Sequence, residues 1–167
     1  SDTELGYVDT GDLLIMFLQG TNMTCSDLMM RDFAQTIVKV KDRHHLILLA
    51  EQILQHIPYQ PESTSVTTSA IDSFYAGQGV CQDHAHVFIA MCRALQLPAR
   101  YVSGYLYDQN QPHLASHAWA EVFVENEWYC FDISNQIFTP KSHIYVAIGR
   151  DYLDVAPVRG VREQGGI

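Results

Sequence analysis

The sequence contains no apolar run approaching the ~20 residues that a helix needs to cross a bilayer, and no signal-peptide pattern opens it. Basic residues are also scarce: 10 Lys and Arg stand against 19 Asp and Glu, which gives a net charge of −9 at pH 7. An acidic protein surface repels phosphate groups. We therefore expect neither nucleic acid nor a membrane among the partners of this chain.

Paired cysteine spacing is absent as well. The four cysteines are scattered; they are Cys25, Cys81, Cys92 and Cys130. A chain of 167 residues can stabilise itself by burial alone, so reduced thiols in a cytoplasmic protein are a simpler interpretation than two disulfides. No internal repeat or linker interrupts the sequence, which predicts one domain over residues 1–167. The chain begins at Ser1 and not at a methionine, and we expect a fragment of a longer protein.

The hydrophobic period changes part-way along the chain. Before Pro98 apolar residues recur at helical spacing, most clearly in the segment that Asp42 opens and Pro58 ends. After Pro98 the period becomes two in residues 100–107, 115–124, 127–133 and 144–148, as in strands, and residues 149–167 are typical of a loop. This order predicts an α+β fold in which N-terminal helices pack on a C-terminal antiparallel sheet.

A cysteine opens the helix that follows two glycines, at residues 77 and 79. Cys81, Ala85, Phe88, Cys92 and Leu95 recur at steps of four and three, which places them on one buried face. The N-terminus of a helix carries positive partial charge and unpaired N–H groups, and these favour a thiolate. An ordinary core cysteine would fit the same position, because free cysteine is among the most buried residue types.

A histidine and an aspartate meet across the predicted strands at 115–124 and 127–133. If residues 125 and 126 form a two-residue hairpin loop, Val124 pairs with Glu127, and counting back makes His117 and Asp132 diagonal neighbours on one face. A three-residue loop would turn Asp132 to the opposite face. The two-residue register predicts a carboxylate that accepts the imidazole N–H, as in a Cys-His-Asp triad.

The magnitudes favour a role for all three groups. Lowering the pKa of a thiol from about 8.5 to about 6.5 requires about 2.7 kcal/mol. A helix terminus supplies only about 0.3–1 kcal/mol, so a protonated His117 held by Asp132 must supply most of the rest. The backbone N–H of Cys81 is a natural oxyanion donor, and Gln78 and Tyr75 are candidates for the second donor because they are close in sequence.

Metal binding is a different interpretation of the same segment. Cys81, His84 and His86 are close in sequence, but on a helix Cys81 and His84 lie about one turn apart while His86 points elsewhere. No second ligand pair has zinc-finger spacing. We predict no metal and no cofactor, and we interpret Asp83 as an acceptor for nearby backbone or hydroxyl groups.

The sequence resembles the core of the transglutaminase-like superfamily. The resemblance rests on seven blocks: residues 79–86 (GVCQDHAH), 92–95 (CRAL), 98–105 (PARYVSGY), 116–122 (SHAWAEV), 128–132 (WYCFD), 148–152 (IGRDY) and 154–160 (DVAPVRG). It implies a papain-related α+β fold with Cys81 as nucleophile, His117 as base and Asp132 as orienting acid. The last two blocks resemble bacterial members described as candidate cysteine proteases.

The activity that this resemblance implies is acyl transfer from an amide bond through a thioester. Water as acceptor gives a protease or amidase, the alternative we favour by analogy with the bacterial members, and an amine gives transglutaminase-type crosslinking. The substrate would be an amide of a peptide or protein. A non-catalytic module on this fold is a third alternative. Members often carry an aromatic or large aliphatic residue where His84 stands, and an N-terminal β-rich region and a final strand that are not visible here.

Overall fold

Helices occupy the first half of the described chain and strands most of the second. The structure, a computed structural model, describes residue 11, residues 14–110 and residues 114–157. The elements are α1 (Leu28–Ile37), α2 (Arg43–His56), α3 (Ala70–Ala76), α4 (Cys81–Ala94), β1 (Ala99–Leu106), β2 (Ala115–Val124), β3 (Glu127–Phe131), β4 (His143–Gly149) and α5 (Tyr152–Val155). The predicted α+β order is confirmed.

Short polar side chains begin the first three helices. The side chains of Asp27, Asp42 and Ser69 each accept a hydrogen bond from the backbone N–H three residues later, which satisfies a donor that the helix itself leaves unpaired. Gly77 ends α3 in the left-handed conformation, with φ of 69°, which glycine adopts without a steric penalty. The chain then has room to turn before α4 begins at Cys81.

The four strands form one antiparallel sheet in the order β3-β2-β1-β4. Glu125 and Asn126 join β2 to β3 with φ of 54° and 65°, the positive values that a two-residue hairpin turn of this hand needs. The pairs run from Val124 with Glu127 to Ala120 with Phe131, which is the predicted two-residue register. Asp132 follows directly, beyond the end of β3.

The helix that carries Cys81 is buried on all sides. Every residue from Gln82 to Arg93 is buried, whereas the sequence predicted a single buried face. The prediction was too narrow because the polar side chains of this helix were expected to face solvent. They are instead buried and form hydrogen bonds with distant segments of the chain. One side of α4 packs on the sheet, where the rings of Phe88 and Phe131 lie 4.9 Å apart. The helix is therefore the centre of the core.

Arg93 joins α4 to four other parts of the chain. Its guanidinium donates to the carbonyl oxygens of Phe17, Ala99 and Arg150 at 2.9 Å and to Thr24 Oγ1 at 2.7 Å. Burial lowers its pKa to about 10, so the side chain stays charged at neutral pH. These bonds attach the N-terminal segment and the end of β4 to the central helix.

The tail contains a helical turn that the sequence did not predict. Residues 149–167 had the composition of a loop, but α5 lies within them, and Asp151 caps it by accepting a hydrogen bond from the backbone N–H of Leu153. Arg150 adds an ion pair with Asp154 at 2.8 Å. So short a helix carries little periodic signal, which explains the error. Residues 158–167 lie outside the described residues.

Candidate active site

Cys81 is the first residue of α4, and its surroundings hold the helix start in place. The Oδ2 atom of Asp83 accepts hydrogen bonds from the backbone N–H of Val80, at 2.9 Å, and from Thr64 Oγ1, at 2.5 Å. Burial raises the pKa of Asp83. The two hydrogen bonds lower this pKa, but burial has the larger effect. Asp83 is thus the backbone and hydroxyl acceptor that the sequence predicted, and it fixes the turn from which the thiol projects.

Cys81 and His117 line the same cavity, which has a volume of about 360 Å³. Its other walls come from the start of α4, from β1, β2 and β4, and from α5. They are Val80, Gln82, Tyr101, Ser103, Gly104, Tyr105, Ser116, Ala118, Val146, Tyr152, Val155 and Pro157. Apart from Cys81 and His117, the side chains of these walls are uncharged, and they include both polar and apolar ones. The thiol therefore opens into a pocket suited to uncharged groups.

The structure brings His117 and Asp132 into direct contact. His117 Nε2 lies 2.8 Å from Asp132 Oδ2, as the hairpin register predicted. With Nε2 so bound, Nδ1 is the ring nitrogen left for Cys81. Burial lowers the pKa of His117, but the hydrogen bonds and charges of Asp132 and Cys81 outweigh burial and raise it to about 9. The imidazolium form is accordingly favoured beside the thiol.

Asp132 is fully buried and receives several donors. The Oδ2 atom accepts from His117 and from His143 Nε2, both at 2.8 Å, and from Asn135 Nδ2 at 3.2 Å. The backbone N–H of Asn135 donates to Oδ1 at 3.3 Å. Burial raises the pKa of Asp132, but the bonds from the two histidines and Asn135 outweigh it and hold that pKa below its usual value. The carboxylate stays ionised inside the protein.

His84 links α4 to the turn that follows Asp132. Its Nε2 lies 2.7 Å from the carbonyl oxygen of Ile57, which can only accept, so Nε2 carries the proton and the hydroxyl of Ser134 donates to Nδ1 at 2.6 Å. Burial lowers the pKa of His84, which favours this neutral state. His84 thereby fixes the loop that presents Asp132.

The candidate metal ligands do not come together as a set. Both ring nitrogens of His84 are occupied, and His86 Nε2 accepts from the backbone N–H of Tyr152 at 3.1 Å. Among the described residues, one other group has suitable residue types: ring nitrogens of His117 and His143 lie within 4.8 Å of each other and of a carboxylate oxygen of Asp132. Because both histidines bond to Asp132 at 2.8 Å, we interpret this group as a hydrogen-bond network.

Neither candidate for the second oxyanion donor reaches the cavity. Tyr75 is 56% exposed and donates its hydroxyl to the carboxylate of Asp27, and Gln78 is exposed. The two tryptophans also lie away from the cavity walls. Trp119 is buried with Val102 and Cys130 on the opposite face of the sheet from α4.

His143 and Asn135 are the contributors that the sequence did not identify. Asn135 lies in the turn after Asp132, where asparagine is common for backbone reasons alone. His143 comes just before the predicted strand 144–148, with no periodic signal that points it at Asp132. Their shared contact with Asp132 depends on the path of the loop, which pattern alone does not define.

Comparison with known proteins agrees with this geometry. A family model, described as transglutaminase-like superfamily, matches residues 31–133, a segment that contains Cys81, His117 and Asp132. The chain belongs to the transglutaminase-like superfamily. The match covers well over half of the chain and includes most of α1, all of α2 to α4, β1 and the β2–β3 hairpin. The resemblance found in the sequence motifs is confirmed.

Relatives of this superfamily member come from several bacteria. An uncharacterized protein of Mycobacterium leprae is 31% identical over 166 residues, which cover 95% of this chain and 59% of that protein. An uncharacterized protein of Mycobacterium bovis is 38% identical over 125 residues, 68% of this chain and 40% of that protein. The chain thus spans about half the length of the curated relatives it matches.

Solved structures show the same fold. A putative cysteine protease from Cytophaga hutchinsonii matches with a TM-score of 0.74 and 33% identity, over 87% of this chain and 50% of that chain. The periplasmic domain of TgpA from Pseudomonas aeruginosa matches with a TM-score of 0.55 and 22% identity, over 75% of this chain and 48% of that chain. No helix among the described residues has the length and hydropathy needed to cross a membrane.

Proposed function

We propose that this member of the transglutaminase-like superfamily transfers acyl groups from amide bonds through a thioester on Cys81. The contact that carries the proposal is the 2.8 Å bond between His117 and Asp132, in a cavity that His117 shares with Cys81. A thiol, an imidazole with a raised pKa and a buried, ionised carboxylate are the three parts that nucleophilic acyl transfer needs.

In the first half of the reaction, the proton of Cys81 already lies on His117 Nδ1, as the raised pKa of His117 favours, and the thiolate attacks the carbonyl carbon of the amide. The backbone N–H of Cys81, which starts α4 and lacks an intrahelical acceptor, is positioned to donate to the developing oxyanion. The C–N bond then breaks, and His117 gives its proton to the departing amine. The product is a thioester and a neutral His117.

In the second half, His117 accepts a proton from the acceptor that attacks the thioester. Water as acceptor releases a carboxylic acid and restores the thiol, which is hydrolysis; a primary amine would give a new amide. We favour hydrolysis because the structurally similar protein from Cytophaga hutchinsonii, at 33% identity, is named as a putative cysteine protease. The neutral cavity walls support a peptide or protein amide with uncharged groups beside the carbonyl.

The cysteines support a reducing compartment for this chemistry. All four are free, although Cys25 is exposed and available for pairing. Burial raises the pKa of Cys130 to about 12 and raises that of Cys92 as well, so neither competes as a nucleophile. We therefore propose that the protein acts in the cytoplasm with Cys81 as its reactive thiol.

The test is the product mass after incubation with a peptide library, with and without an added primary amine. Hydrolysis predicts carboxylate products in both samples, and their loss in Cys81→Ala but not in the matched control Cys25→Ala. Incorporated amine would replace hydrolysis with the transferase alternative. Identical product profiles for the parent and Cys81→Ala would contradict the proposal as a whole.

A further inference from the structure

Two histidines donate to the same oxygen of Asp132. His117 Nε2 and His143 Nε2 each lie 2.8 Å from Asp132 Oδ2. The side chain of His143 is 0% exposed, as is that of Asp132, whereas that of His117 is 9% exposed. His117 therefore faces the cavity, and His143 is the interior partner of the carboxylate.

The hydrogen bonds around His143 indicate its tautomer. The backbone N–H of Lys141 donates to His143 Nδ1 at 3.4 Å, so Nδ1 carries no proton and Nε2 carries the one that Asp132 accepts. The ring packs edge-on against Trp119, with centroids 4.8 Å apart and an interplanar angle of 78°. His143 is thus a neutral donor whose ring is held in one orientation.

Gly104 on β1 makes this packing possible. A Cβ atom at Gly104 would lie 2.0 Å from the carbonyl oxygen of Ile144 and 2.9 Å from the Trp119 ring. Without a side chain there, β4 and Trp119 approach β1 closely enough to enclose His143. The placement of His143 beside Asp132 is therefore built into the sheet.

The need for neutral donors to Asp132, His143 as well as Asn135, follows from the reaction cycle. When His117 gives its proton to the departing amine, the buried carboxylate loses its cationic partner. A buried carboxylate without its cation is costly unless neutral donors satisfy it, and without them His117 holds its proton more tightly. His143 directs its Nε2–H at Asp132, because its other nitrogen already accepts a hydrogen bond.

We propose that His143 is a positioning residue that stabilises the Asp132 carboxylate and directs it at His117 as His117 gains and loses its proton. This inference rests on the proposed triad and adds a fourth member to it. His143 itself does not line the cavity and acts only through Asp132.

The sign of the expected effect follows from the groups around His117. The titratable groups that interact with it or its carboxylate are Cys81 and His84 of α4, Asp132 after β3, and His143 at the start of β4. Removing a neutral donor from Asp132 leaves more negative charge facing His117. The proton affinity of His117 then rises, and the neutral base needed for deacylation forms only at higher pH.

Two substitutions separate hydrogen bonding from packing. His143→Phe keeps a ring against Trp119 but removes the donor, and His143→Gln loses the ring but keeps an N–H near the position of Nε2. Both are made in Cys81→Ala protein, and the titration of the His117 ring is followed by NMR with labelled histidine. We expect the His117 midpoint to rise by about one pH unit, tenfold in proton affinity, in His143→Phe and to stay near the parent value in His143→Gln.

A purely structural role predicts the reverse order, because phenylalanine preserves the packing better than glutamine. An unchanged or lowered His117 midpoint in folded His143→Phe would overturn the proposal. If His143→Phe does not fold, nitrogen chemical shifts of the unmodified protein at pH 7 decide, since a proton on His143 Nδ1 contradicts the assigned tautomer. These measurements need no turnover, so they are distinct from the peptide assay that tests the proposed function.

Discussion

Replacing Asp132 with asparagine is the most direct test of the buried carboxylate. Both oxygens of Asp132 accept hydrogen bonds. Oδ1 accepts from the backbone N–H of Asn135, and Oδ2 accepts from ring nitrogens of His117 and His143. The amide of Asp132→Asn must therefore turn its NH₂ group toward an N–H donor on one side or the other. The substitution removes the charge and also introduces a mismatch that the original carboxylate does not have.

The magnitude follows from the pKa of His117. That pKa is raised from 6.5 to about 9 by Asp132 and Cys81 against the effect of burial. A difference of this size corresponds to about 3.4 kcal/mol, or about 300-fold in the stability of the imidazolium form. Since Cys81 supplies part of it, we expect Asp132→Asn to lower the stability of the His117 imidazolium about 100-fold.

The assay is iodoacetamide labelling at pH 6, read out for each cysteine by peptide mass. Cys81 should label rapidly in the parent and up to about 100-fold more slowly in Asp132→Asn, because a less stable imidazolium supports the nucleophilic sulfur less well. The exposed Cys25 serves as the internal reference. Glu121→Gln is the matched control, because Glu121 is a buried carboxylate of β2 that bonds to Arg100 and Tyr145 instead of the triad.

Two results would refute this reasoning. One is an Asp132→Asn protein that is folded and labels Cys81 as fast as the parent does. The other is an equal loss of labelling in Glu121→Gln, which would mean that any buried carboxylate of the sheet affects the thiol through general damage to the fold.

Three further predictions concern stability. Burial lowers the pKa of His86 to about 4, so the unfolded chain takes up a proton near pH 6.5 while the folded protein does not. The free energy of unfolding should therefore fall by about 3 kcal/mol as the pH drops from 6.5 to 4. In urea titrations, His86→Gln should remove most of that fall. Gly104→Ala should cost about 3 kcal/mol or more in the same assay because its Cβ meets the Ile144 carbonyl, whereas Gly20→Ala, whose Cβ has no neighbour nearer than 3.6 Å, should cost less than about 1 kcal/mol. Arg93→Met should cost about 3 kcal/mol or more, because four acceptors lose their donor and three of these hydrogen bonds are buried.

Each stability prediction has an outcome that contradicts it. An unchanged pH dependence in His86→Gln would assign the acid sensitivity to other groups. Equal stabilities of the Gly104 and Gly20 variants would mean that β4 relaxes at no cost. Arg93→Met with the parent's free energy of unfolding would show that water replaces the guanidinium at all four acceptors.

The hairpin was predictable because its determinants are local. Alternation places His117 on one face of β2, and the two residues at 125 and 126 set the register that brings Asp132 beside it. The burial of α4 was not predictable in the same way. His84 and Arg93 have the polarity of surface residues, and their acceptors lie at Ile57 and in the N-terminal segment, far along the chain.

His143 illustrates the same limit within the site. Its contact with Asp132 depends on how residues 132–142 return to the edge of the sheet and on the space left by Gly104, and neither has a periodic signature. Sequence patterns predicted Cys81, His117 and Asp132 as the candidate triad. They missed His143, whose position at the start of β4 depends on the irregular loop that precedes it.

The His84 bridge between Ile57 and Ser134 has a consequence for the newly made chain. Cys81 leaves the ribosome well before His117 and Asp132, and the turn that holds Asp132 is secured only when it docks against α4. Until then the thiol has neither its base nor the oriented acid. If the proposed triad is correct, we expect an incompletely folded molecule to lack an activated thiol, so that nearby chains are not exposed to a reactive nucleophile during synthesis.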